Sequence, residues 1–253
     1  MTKHHYLFLS SSVSSPLLLL RLKHPLLSRV IETATLTMPF DSRTTAGRIL
    51  AGRLGNLSGE KKAIVLGLVR GGVVVGKMLS TILTLPLYPY IVRKIGHPEN
   101  REYGVGALAE GGTTYLDERT MRAMGLTWND LEPVIDEEME ELRRRKEMYA
   151  VRPRPSLKGK IVILVDDGAA TGNSMLAAIE DVRKAEPKEI VVALPVAPQE
   201  TADAIMHRAD RIIVLESPGN FEAVGKWYGE FGQVEDEEVI DLLMQSQRLM
   251  QSK

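Results

Sequence analysis

The run Ile161-Val162-Ile163-Leu164-Val165, followed at once by Asp166-Asp167-Gly168, constrains this chain more than any other stretch. Five consecutive apolar residues, four of them β-branched, are too short for a core helix and have no polar face. Such a run suits a parallel strand buried on both sides. Similar runs recur at Ala63 to Val69, Leu87 to Val92, Glu189 to Leu194 and Arg211 to Leu215. Pro89 blurs the start of the second of these, because proline cannot donate to a ladder. Helical patterns lie between them: Ala46 to Leu57, with Ile49, Leu50, Leu54 and Leu57 on one face, then Val73 to Leu83, Thr171 to Lys184 and Gln199 to His207. The alternation predicts an α/β fold, a mostly parallel five-stranded sheet with helices on both faces. Right-handed crossovers put every strand C-terminus along one edge, and ligands bind there in open sheets of this kind.

The alternation stops over residues 97–158, read as an insertion that covers the sheet edge as a lid. It holds a long charged helix from about Asn129 to Tyr149, whose apolar stripe is Leu131, Ile135, Met139, Leu142 and Tyr149. Glu140 with Arg144 and Glu141 with Arg145 have i,i+4 spacing, each pair worth about 0.3 kcal/mol. The acids from Asp136 to Glu141 mark a solvated helix face and not a nucleic-acid contact. Residues 1–37 differ from the rest, with many serines and leucines and one acid, Glu32. They read as a disordered extension, or as sequence upstream of a start at Met38, and residues 38–253 as the folded domain. No run there is long enough to span a bilayer.

Composition narrows the chemistry. Net charge is −1, with 44% hydrophobic and 26% charged residues, so no bulk pull toward nucleic acid or membrane is expected. There is no cysteine, which removes disulfides and thiolate chemistry, and the five histidines show no metal-ligand spacing. A cytoplasmic protein with no protein-held metal is expected, and association into a homo-oligomer is left open.

The loop after Val165 carries the chemistry. Gly168-Ala169-Ala170-Thr171-Gly172-Asn173-Ser174 opens a helix, whose N-terminal N–H groups and positive dipole end suit a phosphate. Gly168 and Gly172 let the backbone approach an anion, and the hydroxyls of Thr171 and Ser174 add donors. Asp166 and Asp167 lie just upstream, where they can accept hydrogen bonds from sugar hydroxyls. A helix cap explains one acid; two acids beside a glycine-flanked hydroxyl loop fit a sugar phosphate. No Lys follows the second Gly, so this is not a Walker loop. Arg93-Lys94 closes the second strand on the same edge and offers cations to the ligand.

Val162 to Ser174 resembles the signature of the type I phosphoribosyltransferase family: hydrophobic strand, two acids, Thr-Gly phosphate loop. The resemblance implies that Asp166 and Asp167 bind the ribose hydroxyls of 5-phosphoribosyl 1-diphosphate and that Ala169 to Ser174 cradle its 5-phosphate. It implies a diphosphate loop at Arg70-Gly71-Gly72, with Arg70 and Lys94 as the catalytic cations and Arg93 beside them. Mg²⁺ is expected on the diphosphate oxygens and water, since this metal rarely has an all-protein cage. Phe40-Asp41-Ser42-Arg43, Ala46-Gly47, Arg93-Lys94-Ile95-Gly96, Ala109-Glu110-Gly111 and Trp227-Tyr228 extend the resemblance, over about Met38 to Leu243, to a subgroup of predicted phosphoribosyltransferases. Family members acting on 6-oxopurines carry an Asp just before the Thr-Gly; here that residue is Ala170, which argues against such an acceptor. The resemblance therefore implies transfer of ribose 5-phosphate to a small nitrogen acceptor, with a donor-binding regulator as the alternative. Phe221 is the candidate for stacking on an acceptor ring. Helical spacing places Trp227 and Phe231 in the core, and Glu102 and Tyr103 belong to a mobile lid.

Overall fold

The computed structural model describes residues 31–33, 40–151 and 153–251. Its main sheet contains the five expected strands, now β2 (Ala63–Leu68), β3 (Leu87–Tyr90), β7 (Ile161–Val165), β8 (Glu189–Val196) and β9 (Arg211–Glu216). A sixth, β1 (Ile31–Thr33), pairs in parallel with β9, in the order β1-β9-β8-β7-β2-β3. These three residues belong to the segment read as an extension. Residues 1–30 and 34–37 of that segment lie outside the described residues.

Every strand pair in this sheet is parallel, with Val65 opposite Ile163 and Ile163 opposite Val191. The alternating side chains sort into two cores. Val65, Ile163, Val191 and Ile213 pack on one face with Leu50 of α1 (Arg43–Arg53) and Leu79 of α2 (Gly71–Leu83). Ile64, Leu66, Val162, Leu164 and Val192 pack on the other with Leu176 of α5 (Asn173–Arg183) and Ile205 of α6 (Gln199–Met206). Burying each such side chain contributes about 1.5–3 kcal/mol, and both faces are dry, which is why the strands read as continuous apolar runs.

The segment read as a second strand to Val92 divides in two. After β3 the chain turns at Ile91 and enters β4 (Val92–His97), which pairs antiparallel with β5 (Asn100–Ala109), and β5 pairs with β6 (Thr114–Leu116). Arg93 and Lys94 therefore open a hairpin and do not close a strand of the main sheet. After the short α3 (Glu118–Met124), the charged helix α4 (Trp128–Met148) follows, burying Leu131, Val134, Ile135 and Leu142. Its ion pairs partly shift from the expected spacing: Glu141 holds both Arg144 and Arg145, while Glu140 takes Arg143. Buried Glu110 ties the small sheet down, accepting from the Ile91 N–H at 2.9 Å and pairing with Arg154. On α5, Asp181 accepts from the Tyr90 hydroxyl, the Gly111 N–H and the Thr113 hydroxyl. The last helix is α7 (Asp236–Gln251). Among the described residues, no helix is long and apolar enough to cross a membrane.

Candidate ribose phosphate site

The chain leaves β2 to form β3 on one side, then returns to form β7 on the other. The strand order thus reverses between β2 and β7, where an open parallel sheet leaves a crevice at its C-terminal edge. Arg70-Gly71-Gly72 and Asp166-Asp167 end these two strands and meet there.

The contact is tight enough to require glycine. A Cβ on Gly71 would stand 1.9 Å from Asp167 Oδ2, and one on Gly72 would stand 2.5 Å from the Val165 carbonyl oxygen. The Val69–Arg70 peptide bond is cis. The Gly72 N–H donates to the Asp166 carboxylate, which also accepts from the Asp167 N–H at 2.9 Å.

Arg43, at the start of α1, reaches the same Asp167 oxygen that Gly71 approaches, Nε to Oδ2 at 2.7 Å. Its Nη1 donates to the Gly232 carbonyl at 2.9 Å, and its guanidinium carbon lies 3.8 Å from the centre of the Phe231 ring. The Tyr228 hydroxyl donates to the Asp167 carbonyl at 2.5 Å. Phe40 and Tyr228 form an isolated parallel bridge, so the segment that enters α1 and the segment after β9 close the same wall. Packed protein surrounds both carboxylates on all but the crevice side. Burial, and then the Asp167 charge, push the Asp166 carboxyl well above the ordinary carboxylate range against the pull of Arg43 and the Gly72 N–H. Burial also raises Asp167, and Arg43 opposes that rise directly.

Beyond the carboxylates the chain turns through Gly168 to Gly172 into α5. Gly172 is the N-cap with φ +78°, a left-handed conformation that favours glycine. The loop is pinned from outside: the Ala169 N–H donates to the Val196 carbonyl at 2.9 Å, and the Thr201 hydroxyl to the Ala170 carbonyl at 2.5 Å. Thr171 is exposed, Ser174 half-buried and Asn173 buried. The loop side chains of Ala170, Thr171 and Asn173 line a cavity of about 350 Å³ shared with Tyr115, Arg119, Glu200 and Thr201. First-turn N–H groups of a helix have no intrahelical acceptor, so this terminus can take an anion.

The other candidates fall differently. Arg70 follows β2 beside the carboxylates, but its Nη1 lies 3.5 Å from Glu235 and 3.7 Å from Asp236. Arg93 is paired with Glu138 at 2.7 Å and Lys94 with Glu102 at 3.3 Å, both within the hairpin and α4 region. Phe221 is half-buried and packs against the core. Trp227 ends a 3-10 turn (Val224–Trp227) and packs against the core. Phe231 leaves the core position that helical spacing assigns it: it is 37% exposed and stacks on Arg43, because no helix spans this segment. Glu102 and Tyr103 lie on the exposed part of β5 in the hairpin. Among the described residues no group of three or more His, Cys, Asp or Glu could hold a metal.

Sequence reasoning assigned no role to Arg43 or Tyr228. Both stood inside blocks that carry the family resemblance, which was the available signal. Their partner Asp167 lies 124 residues from Arg43, beyond the reach of any local pattern.

The family described as Phosphoribosyl transferase domain matches residues 43–226. Two Mycobacterium tuberculosis proteins, from strains CDC 1551 / Oshkosh and H37Rv and each named "putative phosphoribosyl transferase", are 38% identical over 210 residues, 83% of this chain and 47% of theirs. The chain thus spans about half the length of the curated relatives it matches. The crystal structure of TT1426 from Thermus thermophilus is 41% identical, with a TM-score of 0.69 over 82% of this chain and 99% of that one.

Proposed function

Because this chain belongs to the phosphoribosyl transferase family, we propose that it transfers ribose 5-phosphate from 5-phosphoribosyl 1-diphosphate to a small nitrogen acceptor and releases diphosphate. The observation that carries the reading is the meeting of Asp166-Asp167 with Gly71-Gly72 at the strand-order reversal, one turn before the N-terminus of α5. One group of the donor matches each part. The carboxylates accept from the two ribose hydroxyls. The loop from Gly168 to Ser174 takes the 5-phosphate. Gly71 and Gly72 let the diphosphate lie against backbone, with Arg70 beside it.

The acceptor nitrogen gives its lone pair to the anomeric carbon as the bond to diphosphate oxygen breaks. Positive charge develops on the ribose ring and negative charge on the leaving group. The protein's part is to orient the ribose and to neutralise the departing anion. Diphosphate must draw Arg70 from Glu235, which accepts from its Nη1 at 3.5 Å, and from Asp236 at 3.7 Å. Lys94, tethered to Glu102 on the hairpin, would join only if that hairpin folds toward the crevice as a lid. Mg²⁺ would be carried by the donor's diphosphate oxygens and water, since this metal rarely has an all-protein cage. The ion would supply further charge neutralisation when bound. Ala170 leaves no carboxylate before Thr171-Gly172 for a 6-oxopurine, so the acceptor is expected outside that class.

The test is diphosphate release from donor, Mg²⁺ and a panel of nucleobases and simple amines. Release with one acceptor, lost in Asp166→Asn/Asp167→Asn, supports transfer. Donor binding with no release across the panel turns the reading toward a donor-sensing regulator, and absence of donor binding defeats both.

A further inference from the structure

Arg43 is the cation that the structure sets against the carboxylate pair, and contacts with the C-terminal segment fix its position. Its side chain is 11% exposed and is fixed by three contacts: Nε with Asp167, Nη1 with Gly232, and the guanidinium over the Phe231 ring. A Cβ on Gly71 would also approach Arg43 Nε to 3.1 Å, so the Arg43–Asp167 pair lies directly behind the diphosphate loop. A guanidinium fixed through two nitrogens and one face is held in place. It can hold a carboxylate still. Two adjacent half-buried acids without a cation share a proton readily, and a shared proton removes one acceptor from a site that must receive two hydroxyls.

We propose that Arg43 is a positioning residue: it holds the Asp167 carboxylate as an oriented acceptor for a ribose hydroxyl, and ties it to the C-terminal segment through Gly232 and Phe231. This rests on the reading of Asp167 as a ribose ligand. The titratable groups facing Asp167 are Asp166 on its own turn, Arg43 from α1 and Tyr228 from the C-terminal segment. α2 brings the backbone of Gly71. Arg43 is therefore the group whose loss changes the charge balance at Asp167. The Tyr228 phenol, pushed up by burial and then by Asp167, stays neutral.

Two measurements on the full chain test this, using Arg43→Met, Arg43→Lys and Phe231→Leu. The first is a ligand-free carboxyl ¹³C titration of Asp166 and Asp167. The pair's acid midpoint should rise in Arg43→Met and stay near wild type in Arg43→Lys, which keeps the charge. The second is calorimetric binding of 5-phosphoribosyl 1-diphosphate with Mg²⁺ across pH. Arg43→Met should weaken binding roughly tenfold or more, as expected for loss of a charge-assisted hydrogen bond, and move the acid limb upward. Arg43→Lys should weaken it less and leave the limb in place. An unmoved midpoint in Arg43→Met, or weaker binding with an unmoved limb, overturns the proposal in favour of simple packing. If Arg43→Met does not fold, Phe231→Leu, which leaves the ion pair, must weaken binding less than Arg43→Lys; the reverse order overturns it. A wild-type chain that binds no donor defeats the proposed function, while the titration still reports whether Arg43 governs Asp167.

Discussion

At the scale of single residues, Asp166 sets stability and binding against each other. Its carboxyl titrates above the ordinary range because burial and Asp167 disfavour the charge. A raised folded-state value means that folding favours the protonated form. That contribution is fully present below the unfolded value, near 4, and is lost as pH rises through the folded value. At neutral pH the ionised pair therefore costs the fold stability that an amide would not. Asp166→Asn should raise the melting temperature at pH 7–8 by roughly 2–4 °C, the effect of about 1 kcal/mol in a chain of this size. The gain should shrink toward acid pH, as thermal melts across pH will show. Donor affinity should run the other way: it falls as pH drops through the raised value in wild type, and drops at least tenfold, in order of magnitude, in the variant. Ala170 carries a second residue-scale expectation, that hypoxanthine and guanine yield no diphosphate release above background. The acids and the hydroxyl loop could be read locally because both sit on one turn. Arg43 could not be given its task that way, since its meaning depends on a partner far along the chain.

At the scale of elements, the candidate site is made by two strand ends and the helices that follow them. α2 and α5 both begin at the crevice, and the backbone at Gly71 is pressed against Asp167. Gly71→Ala should abolish donor binding measured by calorimetry, because a Cβ 1.9 Å from a carboxylate oxygen must displace either the loop or the acid. Folding should survive with a penalty of about 1–3 kcal/mol, read from denaturant melts. The strands from Ala63, Ile161, Glu189 and Arg211 were legible from their apolar runs, to within two residues at each end. The segment from Leu87 to Val92 was not, because a buried strand and the start of an antiparallel hairpin share one apolar signature across Ile91. That merger put Arg93 and Lys94 on the wrong element. Their side chains meet Glu138 and Glu102 and not the strand end. Phe231 was misplaced for a related reason: helical spacing has no force where the chain forms a 3-10 turn and an extended wall.

At the scale of the whole molecule, the proposed site lies on β2, β7 and the segments that close over them, while β1 sits at the far edge of the sheet against β9. A chain beginning at Met38 lacks β1 and should keep donor affinity within about twofold. Its melting temperature should fall, since an unpaired β9 edge loses ladder bonds worth about 1 kcal/mol each; calorimetry and thermal melts on the two lengths check both. By itself the sequence determined the α/β class, the buried parallel strands, and the loop from Asp166 to Ser174, because hydrophobic periodicity and turn chemistry act between near neighbours. Tertiary structure decided which strand ends meet, that Arg43 pairs with Asp167, that Arg93 and Lys94 lie on the hairpin, and that Glu235 and Asp236 pair with Arg70. These depend on the strand order and on the path of the C-terminal segment. Long-range packing sets both, and no local pattern encodes them.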